Sequence, residues 1–315
     1  MPENDLVTQS LPLLQEPLNG SSLPFLAKYA IYQPAMSTTD LQIENIILAH
    51  SSRGMDALRK GLSVGYCKRA AHLILENNGV VLIGTGFPVG SSFETDGPIG
   101  AISLYKVLES LKNRPIFVCA PPISRILSRD FNTYEIPIRT WEETKSLVET
   151  ALVSLKPSLV ISVERPGVAE DGRYYNMRKE DITEYAAKYD LFLELCTCPT
   201  IAFGDGGNEI GMGNFSRELS HMSIIPSITK CDELVIATVS NWGVYGVIAA
   251  MSLELGTDLF KLFDPAEIAN YLLENGSVDG VTLRAENSED GFPLSVGLSI
   301  ILRLRELLPE NMRNP

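Results

Sequence analysis

Val80-Val81-Leu82-Ile83-Gly84 is an unbroken apolar run that stops at a glycine turn, Gly84-Thr85-Gly86. Apolar at every position rather than at alternate ones, it reads as a strand buried on both faces, as in a parallel sheet covered by helices. Similar runs recur at residues 115–119, 159–163, 200–203 and 234–239, with a shorter one at 134–138. Helical patterns lie before and between them: from Asp40 onward, at 63–77, at 98–112 with Pro98 in the first turn, and at 141–156, opened by Thr140 with Glu142 and Glu143 at its positive end. Others follow at 181–189, 246–255 and 294–308. Strands alternating with helices of this length predict an α/β protein, a three-layer α/β/α sandwich with a mostly parallel, doubly wound sheet. Ligands of such sheets bind beyond the carboxyl ends of the strands.

Composition narrows the function. The chain has 315 residues, 45% hydrophobic and 21% charged, which supports a sizeable core and excludes disorder or a disulfide-rich scaffold. We expect residues 1–38 to form an N-terminal extension and 39–315 a single domain. Residues 11–34 read either as an intersubunit arm in a homodimer or as surface packing. Lys and Arg total 26 against 39 Asp and Glu, a formal charge of −13. Such a chain repels phosphate backbones and anionic membrane surfaces, so neither nucleic acid nor membrane is an expected partner. Five cysteines without framework spacing, no signal-peptide pattern and no apolar run of membrane length place the expected location in the cytoplasm.

The unusual residues cluster at the predicted strand ends. After the first strand come Gly84-Thr85-Gly86 and then Glu94-Thr95-Asp96-Gly97-Pro98, a glycine-rich turn followed by two carboxylates before a helix. The spacing misses both the dinucleotide and the Walker fingerprints. Glu94 or Asp96, taken alone, also reads as a helix cap. After the 159–163 strand comes Glu164, where a charge is costly unless paired or metal-bound. A polar loop follows with Arg165, Arg173, Asn176 and Arg178, suited to gripping a carboxylate or phosphate, or else to an exposed salt-bridged surface. After the 200–203 strand, Gly204-Asp205-Gly206-Gly207-Asn208-Glu209-Ile210-Gly211-Met212-Gly213 holds five glycines among three oxygen-bearing side chains, more than a tight turn needs. Ser240-Asn241-Trp242-Gly243 follows the next strand.

Five carboxylates at one predicted edge, Glu94, Asp96, Glu164, Asp205 and Glu209, would repel one another unless a cation sits among them. Oxygen-only donors point to Mg²⁺ or Mn²⁺. His50 and His72 on predicted helices, and His221 closing another, read as packed or capping residues. There is no G-x-S-x-G elbow and no evident Cys/His pair, so metal-assisted chemistry is favoured over covalent catalysis.

Together, Gly84-Thr-Gly-Phe87, Glu94-Thr-Asp-Gly-Pro98, Asn176-Met-Arg178, the Gly204–Gly213 stretch and Ser240-Asn-Trp-Gly243 resemble the D-glutamate cyclase-like C-terminal domain family. The resemblance runs from about Leu41 to the C-terminal helix. It implies an α/β/α sandwich and, from the animal cyclases, lyase chemistry that converts D-glutamate to 5-oxo-D-proline and water. The animal proteins also carry an N-terminal hydro-lyase-like domain with no counterpart in these residues. On this reading Glu94, Asp96, Asp205 and Glu209 would bind a divalent metal, Mn or Mg, and Glu164 would accept the ammonium proton. Asp205 would act in catalysis through that metal, and Arg173 or Arg178 would hold the α-carboxylate. Gly84, Thr85, Gly86, Asn176, Gly206, Gly207, Asn208 and Asn241 would line a site for a small anionic metabolite. A divalent-metal-dependent phosphatase and a non-catalytic binder of an acidic metabolite are the alternatives.

Overall fold

The computed structural model describes residues 37–313, apart from Ser52. The expected N-terminal extension lies outside these residues as far as Met36, and Ser37 and Thr38 already open the first helix. That helix, α1 (Thr38–Ile47), starts in a capping box: Ser37 Oγ accepts the Asp40 N–H and the Asp40 carboxylate accepts the Ser37 N–H. Then follow α2 (Tyr66–Glu76), β1 (Val80–Gly84), α3 (Pro98–Ser110), β2 (Arg114–Cys119), α4 (Ile123–Leu127), β3 (Thr133–Glu135), α5 (Trp141–Leu155) and β4 (Leu159–Val163). The second half adds α6 (Asp190–Leu195), β5 (Thr200–Gly204), β6 (Glu233–Ile236), α7 (Ser240–Leu255), α8 (Pro265–Glu274) and α9 (Leu294–Glu306).

The sheet order is β3-β2-β1-β4-β5-β6, and every pairing is parallel. Helices cover both sides, as the unbroken apolar runs require: β1, β4 and β5 are buried at every position. The register sets Val81 beside Leu159 and Ile83 beside Ile161. From β1 the chain winds out to one edge through β2 and β3, then returns to β1's other side with β4. This reversal opens a crevice above β1 and β4, where open α/β sheets bind ligands.

The first thirteen residues of α7, Ser240 to Ser252, are all buried. It packs against α1, α2, α3 and α9, so it sits at the centre of its layer and needs no polar face. On the other side α5 packs on α6. A separate small core of Phe87, Val168, Tyr174, Ile182 and Ala186, with Trp141 against it, underlies the long loop after β4.

Three local expectations are corrected. The helix predicted at 181–189 is a single 3₁₀ turn, Thr183–Tyr185, and α6 begins only at Asp190. Asp190 is buried and accepts hydrogen bonds from Val168 N–H, the Tyr174 hydroxyl and the Thr229 hydroxyl, so the chain is tethered where the helix would have run. The last strand stops at Ile236, and Ser240–Gly243 form the first turn of α7 instead of a loop. Helix α8 was not expected, although Asp264 caps it and Pro265 occupies its first turn. All five cysteines are free. No helix among the described residues is long and apolar enough to cross a membrane.

Gly84 ends β1 under the ring of Tyr189, where an added Cβ would lie 2.3 Å from a ring carbon. Gly84→Ala should therefore cost about 1–3 kcal/mol through overpacking. Urea unfolding would show it as a lower midpoint at unchanged m-value, and an unaltered midpoint would contradict this packing.

Candidate active site

Asp96, just before α3, Glu164, just after β4, and Asp205, just after β5, meet at the crevice. One carboxylate oxygen from each lies within 4.8 Å of those of the other two, and all three residues are buried. Two bare carboxylates that close repel by roughly 3 kcal/mol at an effective dielectric of about 20, so the surroundings must compensate.

Two helix N-termini do part of this. Neither α3 nor α7 has a side-chain cap from its own N-cap residue; each is capped by the other's neighbourhood. Asp96 accepts the Ser240 N–H at 2.9 Å and the Asn241 N–H at 2.8 Å, the first two amides of α7. Asn241 Oδ1 in turn accepts the Gly97 and Gly100 N–H groups of α3 at 2.9 and 2.7 Å. Both positive helix ends thus face the acidic cluster. The Ser240 hydroxyl donates to Glu164. Glu164 itself has φ 47°, a left-handed conformation uncommon for residues with side chains and frequent at functional sites. Gly97 makes room for it, since a Cβ there would stand 2.6 Å from the Glu164 Cβ.

Burial raises the affinity of Glu164 and Asp205 for protons well above the ordinary carboxylate range, reinforced for Glu164 by the charges of Asp205 and Glu209. Asp96 is pushed up to about 6, chiefly by burial. The compensating cation is Arg53: its Nη2 lies 2.7 Å from Asp205 Oδ2 and also pairs with Asp290. Asp290 adopts φ 53° in the turn of a short hairpin, Ser288–Glu289 with Phe292–Pro293. Sequence reasoning missed both residues. Asp290-Gly291 is a turn signal, but nothing local marks Arg53.

A cleft of about 270 Å³ opens over the cluster, slightly below the roughly 300–1,000 Å³ of pockets for drug-sized ligands. It suits a small metabolite. Of the expected residues, Glu94, Glu164, Asn176, Arg178, Asn208 and Glu209 line it. Glu94 makes no side-chain hydrogen bond to a described residue, and burial followed by the Asp96 charge holds its pKa well above normal. The metal set needs revision. Glu164 joins Asp96 and Asp205 in the triad, whereas Glu94 and Glu209 lie outside it. Glu209 folds back over its own loop to accept the Gly207 N–H at 2.7 Å. A Cβ at Gly206 would lie 2.7 Å from Glu209 Oε1, so this glycine admits the carboxylate rather than a ligand.

Other expectations for the site are also corrected. Arg173 is exposed, pairs with Asp171 and Asp181, and does not line the cleft. Arg165 is buried and donates to the Gly86 and Ala187 carbonyls, serving as a strut between loops. Arg178 borders the cleft, but its guanidinium donates to the Gly280 and Val281 carbonyls and pins the opposite wall. Gly84, Thr85, Gly86, Gly206, Gly207 and Asn241 lie behind the lining. Gly84 packs on Tyr189, Gly86 on Ile123, Gly207 against Leu219, and Asn241 is spent on capping. No histidine belongs to the triad; His50 sits in the turn after α1 against Trp242 and Phe292 rather than within a helix.

The triad could hold a metal ion. Its donors are anionic oxygens, and among the described residues the buried Asp205 Oδ2 makes no hydrogen bond beyond its ion pair and the nearby buried Thr85 hydroxyl has no partner.

Behind the triad, Glu289 is fully buried and accepts hydrogen bonds from Asn241 and Trp242 at 2.8 and 2.7 Å. Burial pushes its pKa from 4.5 to about 8, with the Asp96 charge adding to the rise. Between those values the folded state keeps a proton that the unfolded chain releases, so stability falls as pH rises through this window. In chelator, Glu289→Gln should flatten the stability profile from pH 5 to 8 by up to about 1.4 kcal/mol per pH unit. Chemical denaturation checks this; parallel profiles for the two proteins would refute it.

A model of the D-glutamate cyclase-like C-terminal family matches residues 43–305. The human protein named D-glutamate cyclase, mitochondrial, is 31% identical over 255 residues, 71% of this chain but 40% of its own length. A crystal structure of an exopolyphosphatase-related protein from Bacteroides fragilis aligns over 78% of this chain and 61% of its own, at 14% identity and a TM-score of 0.37. At that score it bears on neither fold nor function. The family match spans most of the chain and takes in all three residues of the buried triad: the chain belongs to the D-glutamate cyclase-like C-terminal family.

Proposed function

We propose that the chain is a D-glutamate cyclase-like lyase that closes D-glutamate, or a related amino acid, to 5-oxo-D-proline with loss of water. The observation that supports this most is the meeting of Asp96, Glu164 and Asp205 under a small cleft in a member of this family. In the reaction the α-nitrogen bonds to the γ-carboxyl carbon, a C–O bond breaks, and two ammonium protons leave with that oxygen as water.

Asp96, Glu164 and Asp205 would hold a divalent cation, Mn²⁺ or Mg²⁺ by their oxygen-only donors. Such an ion supplies a Lewis acid that polarises the γ-carboxylate and offsets charge on the departing oxygen. Glu94 suits the proton transfer: it lines the cleft, has no hydrogen-bond partner among the described side chains, and stands apart from the triad. Binding in the cleft holds the flexible substrate folded, with amine and carboxyl adjacent, which removes much of the entropic barrier to ring closure.

The test is 5-oxoproline formation from D- and L-glutamate, with Mn²⁺ or with EDTA, beside phosphate release from a panel of monoesters. Metal-dependent product from the D-isomer is expected. Glu94→Gln should lower kcat by about 10²- to 10⁴-fold. At 100 times its Kd, Mn²⁺ should stabilise the native chain by about 2.7 kcal/mol and should leave Asp205→Asn unmoved. Phosphate release without 5-oxoproline would replace this reading by a hydrolase. Silence in both assays with ligand-raised melting would replace it by a binding module.

A further inference from the structure

A substrate with a free α-carboxylate needs a cation to receive it, and neither arginine expected for that task is available. Arg173 stands in solvent in its own ion pairs, and the Arg178 guanidinium is occupied by the Gly280 and Val281 carbonyls. Arg53 differs from both. Its side chain keeps 23% of its exposure and lines the cleft. Nη2 is engaged with Asp205 and Asp290, whereas Nε and Nη1 make no hydrogen bond to a described residue. Clamped from two loops, the guanidinium has already lost its side-chain freedom, which lowers the cost of a further contact. Nη1 keeps its N–H donors free, so a carboxylate oxygen can accept a charge-assisted hydrogen bond from it while Nη2 stays on Asp205 and Asp290. Because Nη2 stands 2.7 Å from a triad oxygen, a carboxylate held there leaves the rest of a short substrate beside the triad.

Building on the proposed chemistry, we infer that Arg53 is the specificity-determining residue of the cleft, anchoring the α-carboxylate of the incoming amino acid. Asp290 is its positioning partner. The site therefore prefers α-carboxylates to their amides, because the hydrogen bond from the guanidinium is charge-assisted with a carboxylate and loses that contribution when the acceptor is a neutral amide carbonyl.

Calorimetric titration of the full chain with D-glutamate, D-isoglutamine (its α-amide) and glutarate tests this. The wild-type chain should prefer D-glutamate over the amide by roughly 10- to 150-fold, the range for hydrogen bonds to charged groups. Arg53→Met should bring the ratio close to one. Arg53→Lys, which keeps the charge beside Asp205 and Asp290 and so preserves the fold, should retain only part of the preference. In turnover both variants should raise KM more than they lower kcat. An unchanged acid-to-amide ratio in folded Arg53→Lys and Arg53→Met, or a wild-type chain that binds no carboxylate of the three, overturns the inference. If D-glutamate yields no 5-oxoproline yet binds through Arg53, the cyclase reading fails and the anchor stands.

Discussion

The structure depends on making it tolerable to bury acid at the carboxyl edge of a parallel sheet. Asp96, Glu164 and Asp205 sit where three chain segments leave the core, almost without water to screen them. The fold meets this demand with N–H dipoles before it uses ionic charge. Helices α3 and α7 both begin at the cluster, and the reciprocal exchange between Asp96 and Asn241 satisfies their first amides while turning their positive ends on the carboxylates. Arg53 adds one full positive charge. The charge that remains uncompensated raises the affinity of these carboxylates for protons.

That arrangement explains features that look unrelated in isolation. The left-handed backbone at Glu164 aims its carboxylate at Asp205, and Gly97 is small because that side chain passes over it. Helix α7 can be buried along most of its length because it lies at the centre of its layer and its N-terminal amides are satisfied at the cluster. The cleft's walls are tied to the same centre: Arg178 fastens the 280s loop, Arg165 braces the turn after β1, and Arg53 joins the glycine-rich loop to the hairpin at Asp290. The side chains that make buried acid tolerable therefore also tie the walls of the cleft together.

Much of this was legible locally. Short apolar runs that end in turn glycines or a charge read as doubly covered strands, and a carboxylate directly after such a run must find a partner, so β1, β4 and β5 and the need of Glu164 and Asp205 for compensation follow from neighbouring residues. Division of labour among the carboxylates was not legible. Glu94 and Asp96 are two residues apart, yet one enters the triad and the other lines the cleft, a difference set by the turn between them and by where α7 begins. The glycines of the 204–213 stretch likewise advertise close approach without saying to what, and for Gly206 the answer is the chain's own Glu209.

By itself, then, the sequence determined the layered fold, the sheet edge at which the carboxylates gather and the acidic character of that edge, because periodicity, turn residues and the cost of an unpaired buried charge act over a few neighbouring positions. Tertiary structure alone decided which acids meet, that Asn241 is a cap and not a ligand, and that Arg53 stands in the cleft with Asp205 and Asp290 around it. Those contacts join positions far apart in the sequence, and no short-range pattern records them; they exist only once the strand order brings the loops to one crevice.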